Sequence, residues 1–478
     1  MINLDYVNFR TNEESFKNDY QDIIRAFSPF TVFQENGILI ELSLINTADN
    51  EYNTIIEIDN NCLMHYEKQF KLEESLTEIE RKSLKKRYSK IFLYEILSKL
   101  LSRKLPYGSL TGIRPTKLFH DLTSKGIDAS DYFKNVLFVS DEKVKLIETI
   151  CKNQTNIYNK NEKEIDVFVN IPICISRCSY CSFISAELDK VKKLVTPYTD
   201  LLLKEIETTK QIINREGLIV RSVYVGGGTP TSIDDENFYR IISSLNFNAS
   251  EFTVEAGRPD TISENKLKIM DKCGVTRISI NPQSFNQKTL DLIGRKHTVD
   301  EIYKVYEMAR RFSFDINMDL IAMLPNETFE DFMYSVNQTL KLNPENITIH
   351  TLALKRGSKL HESNYDNTSD SLPSKMVNYA MKSMLENGYE PYYMYKQKHV
   401  SGNLENVGYC KKDKACIYNV DIMEETTSII ANGAGAISKR LFLKDNRLER
   451  LANPKGLDVY LQREDALLKD KDNFFFNI

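Results

Sequence analysis

Residues 169–183 read VNIPICISRCSYCSF and place Cys174, Cys178 and Cys181 within eight residues. They follow an apolar run at 165–170 that predicts a β-strand, so the cysteines lie on the loop after that strand. Three thiolates on one loop can bind three irons of a cubane 4Fe-4S cluster. Because the sequence has no fourth cysteine nearby, the fourth iron of such a cluster would stay open to another ligand.

The remaining cysteines leave other interpretations open. The chain has eight cysteines in 478 residues, which is too few for a disulfide scaffold. A structural zinc site usually has four ligands, and Cys410 with Cys416 could supply a second pair, although their spacing is poor for zinc. The three clustered cysteines could also be unrelated thiols.

From residue 165 to residue 351, short apolar runs alternate with segments of helical periodicity. This alternation predicts a parallel sheet with right-handed crossovers, open or closed into a barrel. Its six strands fall short of the eight in a complete (β/α)8 barrel. The predicted strands are 165–170, 218–225, 252–255, 277–280, 314–320 and 347–351, and the predicted helices are 198–214, 235–245, 263–272, 298–311 and 329–341.

Two regions flank the alternating core, so we expect three regions in all. They are an N-terminal α/β domain over 1–160, the core over 161–354, and a C-terminal α+β region over 355–478 that covers the substrate. In the N-terminal domain the sequence predicts a strand pair and a long helix. The features are strands within 30–44 and 54–59, a hairpin signal at Asn36-Gly37, a capping box of Ser75 with Glu78, and a helix over 84–105.

Charge and hydropathy exclude several classes of partner. The net charge of −4 offers no general attraction to nucleic acid or anionic lipid. No apolar run reaches the roughly 18 residues that a membrane helix needs. The N-terminus lacks the basic-then-apolar pattern of a signal peptide. We therefore expect a cytoplasmic protein without nucleic-acid partners or a membrane span.

A glycine-rich segment, Gly226-Gly227-Gly228-Thr229, follows the second predicted strand. Glycines let a backbone approach a ligand closely, and their amides can hydrogen-bond to it. With this segment one strand after the cysteine loop, and with Tyr180 before the third cysteine, the chain resembles the radical S-adenosylmethionine (radical SAM) superfamily.

The resemblance narrows to the oxygen-independent coproporphyrinogen III oxidase branch, in particular its coproporphyrinogen dehydrogenase subgroup with a long N-terminal region. It implies a partial (β/α)6 barrel. The motifs that carry it are LTGIRPTK at 110–117, EAGRPD at 255–260, RISINPQSF at 277–285, GRKH at 294–297, NMDLIAMLP at 317–325, YKQK at 395–398, GNLENVGY at 402–409 and GAGA at 433–436.

The same resemblance implies two cofactors and the residues that bind them. Cys174, Cys178 and Cys181 would hold a 4Fe-4S cluster, which a one-electron donor such as flavodoxin or ferredoxin would reduce. No catalytic residue is implied beyond the cluster and S-adenosylmethionine. The implied contacts to S-adenosylmethionine are Phe168, Tyr180, Gly226, Gly227, Gly228, Thr229, Glu255, Gln283, Arg295 and Asp319.

The implied activity belongs to haem and porphyrin biosynthesis. A 5′-deoxyadenosyl radical would drive the oxygen-independent oxidative decarboxylation of coproporphyrinogen III, a tetrapyrrole, to protoporphyrinogen IX. The substrate carries propionates, so cationic anchors are needed. The candidates are Arg114, Lys117, Lys396 and Lys398.

Three departures from the pattern of this branch leave alternatives open. Phe168 and Asn170 stand where the branch has Tyr and His, and Ser182 stands where its best-known enzymes have a further cysteine. Asn281-Pro282 replaces the usual Gly-Val. One alternative is a haem-binding, chaperone-like radical SAM protein without oxidase activity. The other is a radical SAM enzyme that acts on a different substrate.

Overall fold

The computed structural model describes residues 2–182, 186–353, 358–362, 371–397, 404–443 and 447–476. The chain groups into two compact units. The first comprises Met1–Thr149 with Lys396–Leu404, and the second comprises Ile150–Tyr395 with Glu405–Ile478. The division into three regions stays a prediction, but the strands after residue 404 pair with strands of the core, and for this reason they fall in the second unit.

The first unit is built on a five-stranded mixed sheet with helices. Its elements are β1 (Tyr6–Thr11), α1 (Lys17–Phe27), β2 (Val32–Phe33), β3 (Ile38–Ala48), β4 (Glu51–Asp59), β5 (Leu63–Lys71), α2 (Glu78–Leu101), α3 (Pro115–Ser124), α4 (Ala129–Asp131) and α5 (Asp141–Asn153), whose last turn belongs to the second unit. The strand order is β2-β1-β3-β4-β5. Apolar side chains of α1 and α2 share one buried core with β1, β3 and β4.

The hairpin predicted at Asn36-Gly37 is wrong. The two strands on either side of this turn do not pair, because β1 lies between them in the sheet. Gly37 instead allows a close approach of two backbones, since a Cβ there would lie 2.4 Å from the amide nitrogen of Val7. One hairpin of this unit joins β3 and β4, the predicted strand pair, which is antiparallel, with Asn50 in the left-handed region (φ 62°).

The capping box of the long helix is also displaced from the prediction. Thr77 and Glu80 form it, two residues after the predicted pair of Ser75 and Glu78. The Thr77 hydroxyl accepts the Glu80 N–H (3.3 Å), and the Glu80 carboxylate accepts the Thr77 N–H (3.2 Å). Both pairs have the same spacing, so the sequence pattern alone cannot choose between them.

The second unit contains the alternating core. Its strands are β6 (Glu164–Ile171), β7 (Ile173–Cys174), β8 (Ala186–Glu187), β9 (Ile219–Gly227), β10 (Glu251–Gly257), β11 (Arg277–Ile280), β12 (Asp315–Ala322), β13 (Asn346–Thr351), β14 (Glu390–Lys396), β15 (Glu405–Cys410), β16 (Ser428–Asn432), β17 (Ile437–Phe442) and β18 (Arg447–Ala452). Its helices are α6 (Leu188–Val191), α7 (Val195–Glu216), α8 (Asp235–Ser244), α9 (Glu264–Lys272), α10 (Gln287–Leu292), α11 (Val299–Ala309), α12 (Phe329–Leu342), α13 (Lys359–Glu362), α14 (Leu372–Glu386), α15 (Ile417–Glu424), α16 (Leu457–Gln462) and α17 (Glu464–Phe474).

The predicted parallel core is confirmed. β6, β9, β10, β11, β12 and β13 are parallel neighbours within an 11-stranded sheet. Further strands extend it: β15 and β14 follow β13 at one side, and β16, β17 and β18 follow β6 at the other. The sheet therefore keeps two edges and forms a partial barrel. Because parallel strands end at a common edge, the loops after them meet there.

No helix in the described part of the chain is long and apolar enough to cross a membrane.

Candidate functional site

The first cysteine is fixed between two strand ends. Cys174 ends β7, directly after β6, and the glycine-rich segment after β9 runs beside it. The Gly228 N–H donates to the Ile171 carbonyl (2.9 Å), and the Thr229 N–H donates to the Ile173 carbonyl (2.8 Å). The Thr229 hydroxyl lies 3.5 Å from Cys174 Sγ. Backbone bonds thus fix this cysteine against the glycine-rich segment.

The three glycines of this segment have no space for side chains. A Cβ on Gly228 would lie 2.9 Å from Cys174 Sγ, and one on Gly226 would lie 2.9 Å from Glu255 Oε2. Gly227 has a φ of +114°, which L side chains rarely adopt. The sequence predicted a close backbone approach here, and the structure places these glycines beside a cysteine of the loop and a candidate carboxylate.

The other two cysteines are close together on the same loop. The Cys181 N–H donates to the Cys178 carbonyl (3.2 Å), which closes a tight turn. Between them, the Tyr180 hydroxyl accepts a hydrogen bond from Arg295 Nη2 (3.0 Å). Burial, opposed by the charge of Arg295, raises the pKa of Tyr180 above its usual range, so this hydroxyl stays neutral. Tyr180 and Arg295, predicted separately, are direct partners.

Two carboxylates lie in the carboxyl-terminal halves of their strands, Glu255 in β10 and Asp319 in β12, and have opposite pKa shifts. Burial raises the pKa of Glu255 to about 7, although the Tyr224 hydroxyl donates to it at 2.6 Å. Burial also acts to raise the pKa of Asp319, but the interaction with His350 at 3.6 Å and the hydrogen bond from Asn317 at 2.8 Å outweigh it, so that pKa is lowered. Asp319 is therefore ionised near neutral pH, whereas Glu255 is divided between both forms.

Several buried polar atoms around these groups have no protein partner among the described residues. They are Gln283 Oε1, Asn281 Oδ1 and Arg295 Nε. Gln283 also has a φ of +67°, which costs a non-glycine residue free energy, and its backbone N–H donates to the Asp319 carbonyl (3.0 Å). Unsatisfied buried polar atoms, one of them on a residue with a strained backbone bonded to Asp319, fit a polar ligand such as S-adenosylmethionine.

Phe168 belongs to an aromatic cluster inside the partial barrel. Its ring centroid lies 6.3 Å from that of Tyr224 and 6.0 Å from that of Tyr418, and the two tyrosine rings stack at 4.3 Å. Tyr224 in turn donates to Glu255. The predicted aromatic position is thus connected to a candidate carboxylate through Tyr224, a residue that the sequence motifs did not single out.

Cys410 and Cys416 do not join the cysteine loop. Cys410 pairs with Asn346 at the start of β13, and Cys416 Sγ donates to Glu251 Oε1 (3.1 Å) at the start of β10. β10 is seven residues long, so its two ends are about 20 Å apart at roughly 3.3 Å per residue. The shared zinc site considered from the sequence is therefore wrong.

The described residues contain no group of three or more His, Cys, Asp or Glu side chains arranged around a single metal ion. A cubane cluster does not require such an arrangement, because each of its thiolates binds a different iron. Three cysteines spread along one loop are therefore compatible with a 4Fe-4S cluster.

None of the four candidate substrate cations belongs to the described part of the second unit. Arg114, Lys117 and Lys396 belong to the first unit, and Lys398 lies outside the described residues. Lys396 is 3% exposed, and its ammonium donates to the Leu110 carbonyl (2.9 Å) within that unit. The role of all four as substrate anchors stays a prediction.

Known proteins are similar to this chain in sequence and in fold. Residues 168–338 match the model of the radical SAM superfamily. The chain is 37% identical over 388 residues to the oxygen-independent coproporphyrinogen-III oxidase-like protein HemZ of Bacillus subtilis, covering 78% of this chain and 77% of that protein. It is 32% identical over 195 residues to the heme chaperone HemW of the same species, covering 39% and 50%.

Among solved structures, the coproporphyrinogen III oxidase HemN of Escherichia coli, described as a radical SAM enzyme, matches with a TM-score of 0.52. The sequence identity is 20%, over 66% of this chain and 72% of that one, so this likeness concerns the fold alone.

Proposed function

Because the chain belongs to the radical SAM superfamily, in the branch of oxygen-independent coproporphyrinogen III oxidases and their relatives, we propose that it decarboxylates coproporphyrinogen III oxidatively to protoporphyrinogen IX. Membership of the superfamily implies a 4Fe-4S cluster and S-adenosylmethionine as cofactors. We further propose that a flavodoxin or ferredoxin supplies the electrons.

When bound, the two cofactors supply a 5′-deoxyadenosyl radical that removes a hydrogen atom from a propionate side chain. The residues of the chain hold the reactants and exclude water around this chemistry. Cys174, Cys178 and Cys181 would bind the cluster. The glycines at 226–228 would let S-adenosylmethionine approach the backbone beside Cys174.

The polar residues of the site would orient the cofactor. Asp319, ionised near neutral pH, would accept hydrogen bonds from the ribose hydroxyls. Glu255 would bind the methionyl amine, whose positive charge favours the carboxylate form over the protonated one. Arg295 has a buried Nε without a protein partner in the described part of the chain, so its guanidinium retains a donor for the methionyl carboxylate.

The extent of the similarity carries the proposal. The match to the oxidase-like HemZ covers 78% of this chain, whereas the match to the Bacillus subtilis HemW covers 39%. A haem chaperone is the second candidate, since several similar proteins carry that name, one of them over 66% of this chain. Both candidates share the cluster and the cofactor, so they differ in what happens to the tetrapyrrole.

An anaerobic assay separates the two functions. Reconstituted protein is incubated with dithionite, S-adenosylmethionine and coproporphyrinogen III, and the tetrapyrroles are analysed by mass spectrometry. An oxidase yields CO2 and vinyl products, with cleavage of S-adenosylmethionine that depends on the substrate. Stoichiometric haem binding without a decarboxylated product, by protein with a full cluster, would refute the proposal and support the chaperone.

Removing either carboxylate should weaken cofactor binding without loss of the cluster. Each substitution, Glu255→Ala or Asp319→Ala, removes a hydrogen bond to a charged group, which typically contributes about 1.5–3 kcal/mol. We expect the affinity for S-adenosylmethionine to fall roughly tenfold to a hundredfold. Equilibrium dialysis of anaerobically reconstituted protein measures it, with iron content checked in parallel.

A surface carboxylate provides the control for this experiment. Asp200 is 53% exposed at its side chain and forms an ion pair with Arg240 (2.6 Å) on the surface of α7 and α8. Asp200→Ala should leave the affinity unchanged. If Glu255→Ala and Asp319→Ala also bind S-adenosylmethionine with wild-type affinity, neither carboxylate belongs to the cofactor site.

A further inference from the structure

A buried arginine holds the middle of the cysteine loop. Arg258, 3% exposed, follows β10 in the EAGRPD motif. Its Nη1 donates to the Ser176 hydroxyl (2.8 Å) and to the Ser176 carbonyl (3.2 Å). Ser176 lies between Cys174 and Cys178, so one guanidinium fixes the loop segment that joins two of the cysteines.

The other side of this guanidinium is paired with a carboxylate. Arg258 Nε donates to Asp260 Oδ1 (3.0 Å), and Nη2 donates to Asp260 Oδ2 (2.7 Å). This two-point geometry fixes the plane of the guanidinium as well as its position. Asp260 therefore lies behind Arg258 as seen from the loop, with the positive charge directed at Ser176.

The pair is largely buried, with side chains 3% (Arg258) and 14% (Asp260) exposed. His297 is fully buried, with Nδ1 4.0 Å from Asp260 Oδ1. Burial, together with the charge of Arg295, lowers the pKa of His297 to about 4, so the ring is neutral. Arg295 is itself 6% exposed and binds Tyr180 on the same loop. Two buried guanidiniums thus contact the loop, and charges interact strongly in such surroundings.

We propose that Arg258 is a positioning residue that holds the cysteine loop through Ser176 and sets the reduction potential of the cluster. Reduction adds one electron, taken from the donor, to a cluster already bound by three thiolates. A guanidinium fixed beside the loop stabilises the added negative charge, and net charge is one of the main determinants of such potentials. The negative charge of Asp260, on the side of Arg258 away from the loop, partly offsets this stabilisation of the reduced cluster. The inference deepens the proposed function but needs only the cluster, not decarboxylation.

Two substitutions should shift the potential in opposite directions. In Arg258→Gln the positive charge is lost and Asp260 is left uncompensated, so the reduced cluster becomes less stable. The ratio of reduced to oxidised cluster at a fixed potential should fall about tenfold, which is about 59 mV for one electron. In Asp260→Asn the guanidinium keeps its charge without the opposing carboxylate, so the same ratio should rise. Loosening of the loop alone would not give opposite signs.

The measurement is a dithionite titration followed by EPR, on full-length protein reconstituted anaerobically to equal iron and sulfide content. Arg258→Lys, which keeps the charge but loses the planar fork, should restore most of the potential. Arg240→Gln, which removes an arginine from a surface ion pair with Asp200, should leave it unchanged.

Shifts of the same sign in Arg258→Gln and Asp260→Asn, or no shift in either, would overturn the proposal. If Arg258→Gln fails to assemble a cluster, the test uses Asp260→Asn and Arg258→Lys instead. A reduction potential of Asp260→Asn that does not rise above that of the wild type then overturns the proposal. These readouts do not involve the tetrapyrrole, so failure of the decarboxylation assay leaves this inference intact.

Discussion

Protein in which Cys174, Cys178 and Cys181 are all replaced by alanine should contain no 4Fe-4S cluster after anaerobic reconstitution. The three cysteines lie within eight residues shortly after β6, the first of them at the end of β7, and thiolates are the ligands of such clusters. Cleavage of S-adenosylmethionine should be lost with the cluster, because the electron that cleaves this cofactor comes from the cluster. Iron and sulfide analysis, the visible spectrum and EPR of the reduced protein measure the loss.

Cys62 provides the matched control for these variants. It is exposed and belongs to the first unit, so Cys62→Ala should bind a full complement of iron and sulfide. A triple variant that retains a full cluster would exclude the loop as its site. Zinc as the sole metal in wild-type protein prepared without oxygen would refute the cluster itself.

The parallel core could be predicted because short segments rich in Ile, Val and Phe recur between segments of helical periodicity. All four residues of β11, Arg277–Ile280, are buried, and the observed bounds equal the predicted ones. The start of α11 could also be predicted, since Thr298 and Glu301 form the expected capping box. Patterns of this kind depend on residues that are close along the chain, so they can be recognised in the sequence.

Features that depend on distant pairing could not be predicted. β16 pairs in parallel with β6, and this contact joins residue 428 to residue 165. The turn signal at Asn36-Gly37 predicted a hairpin, but β2 and β3 both pair parallel with β1, which lies between them, and so run in the same direction. Arg258 stood in a motif, yet its partner Ser176 is 82 residues earlier. In each case the partner is set by tertiary structure, which a local pattern does not encode.

One departure from the family pattern has a structural explanation. Asn170, at a position where the branch has His, donates its side-chain amide to the Ala434 carbonyl in the GAGA turn. Gly433 of that turn has a φ of +99°, and a Cβ there would lie 2.3 Å from the Asn170 carbonyl oxygen. A small amide therefore joins the end of β6 to the turn after β16, close to Gly227 of the glycine-rich segment.

The GAGA turn is hydrogen-bonded to a fully buried ion pair. Lys471 of α17 donates to Glu205 Oε1 (2.7 Å), to the Ala431 carbonyl (2.7 Å) and to Asn432 Oδ1 (2.6 Å), which uses all three of its N–H groups. Glu205 also accepts the Gly433 N–H (2.7 Å). Both charged side chains are inaccessible to solvent. The C-terminal helix is thus fixed to the end of β16 beside the candidate site.

Replacing Lys471 with methionine should destabilise the second unit by about 3–5 kcal/mol, since removing one partner of a buried pair leaves the other charge uncompensated. Urea unfolding measures the change in the free energy of unfolding. Hydrogen exchange of the native protein, resolved by peptides from α7, β16 and α17, shows where protection is lost. Lys469→Met, on the exposed side of the same helix, is the matched control, with an expected change within about 0.5 kcal/mol. The Gly433 turn should lose protection together with α17, because both are bonded to Glu205. Equal stability of the Lys471→Met and Lys469→Met variants would show that the Lys471–Glu205 ion pair does not stabilise the second unit. Loss of protection confined to α17 would show that the Gly433 turn does not depend on this ion pair.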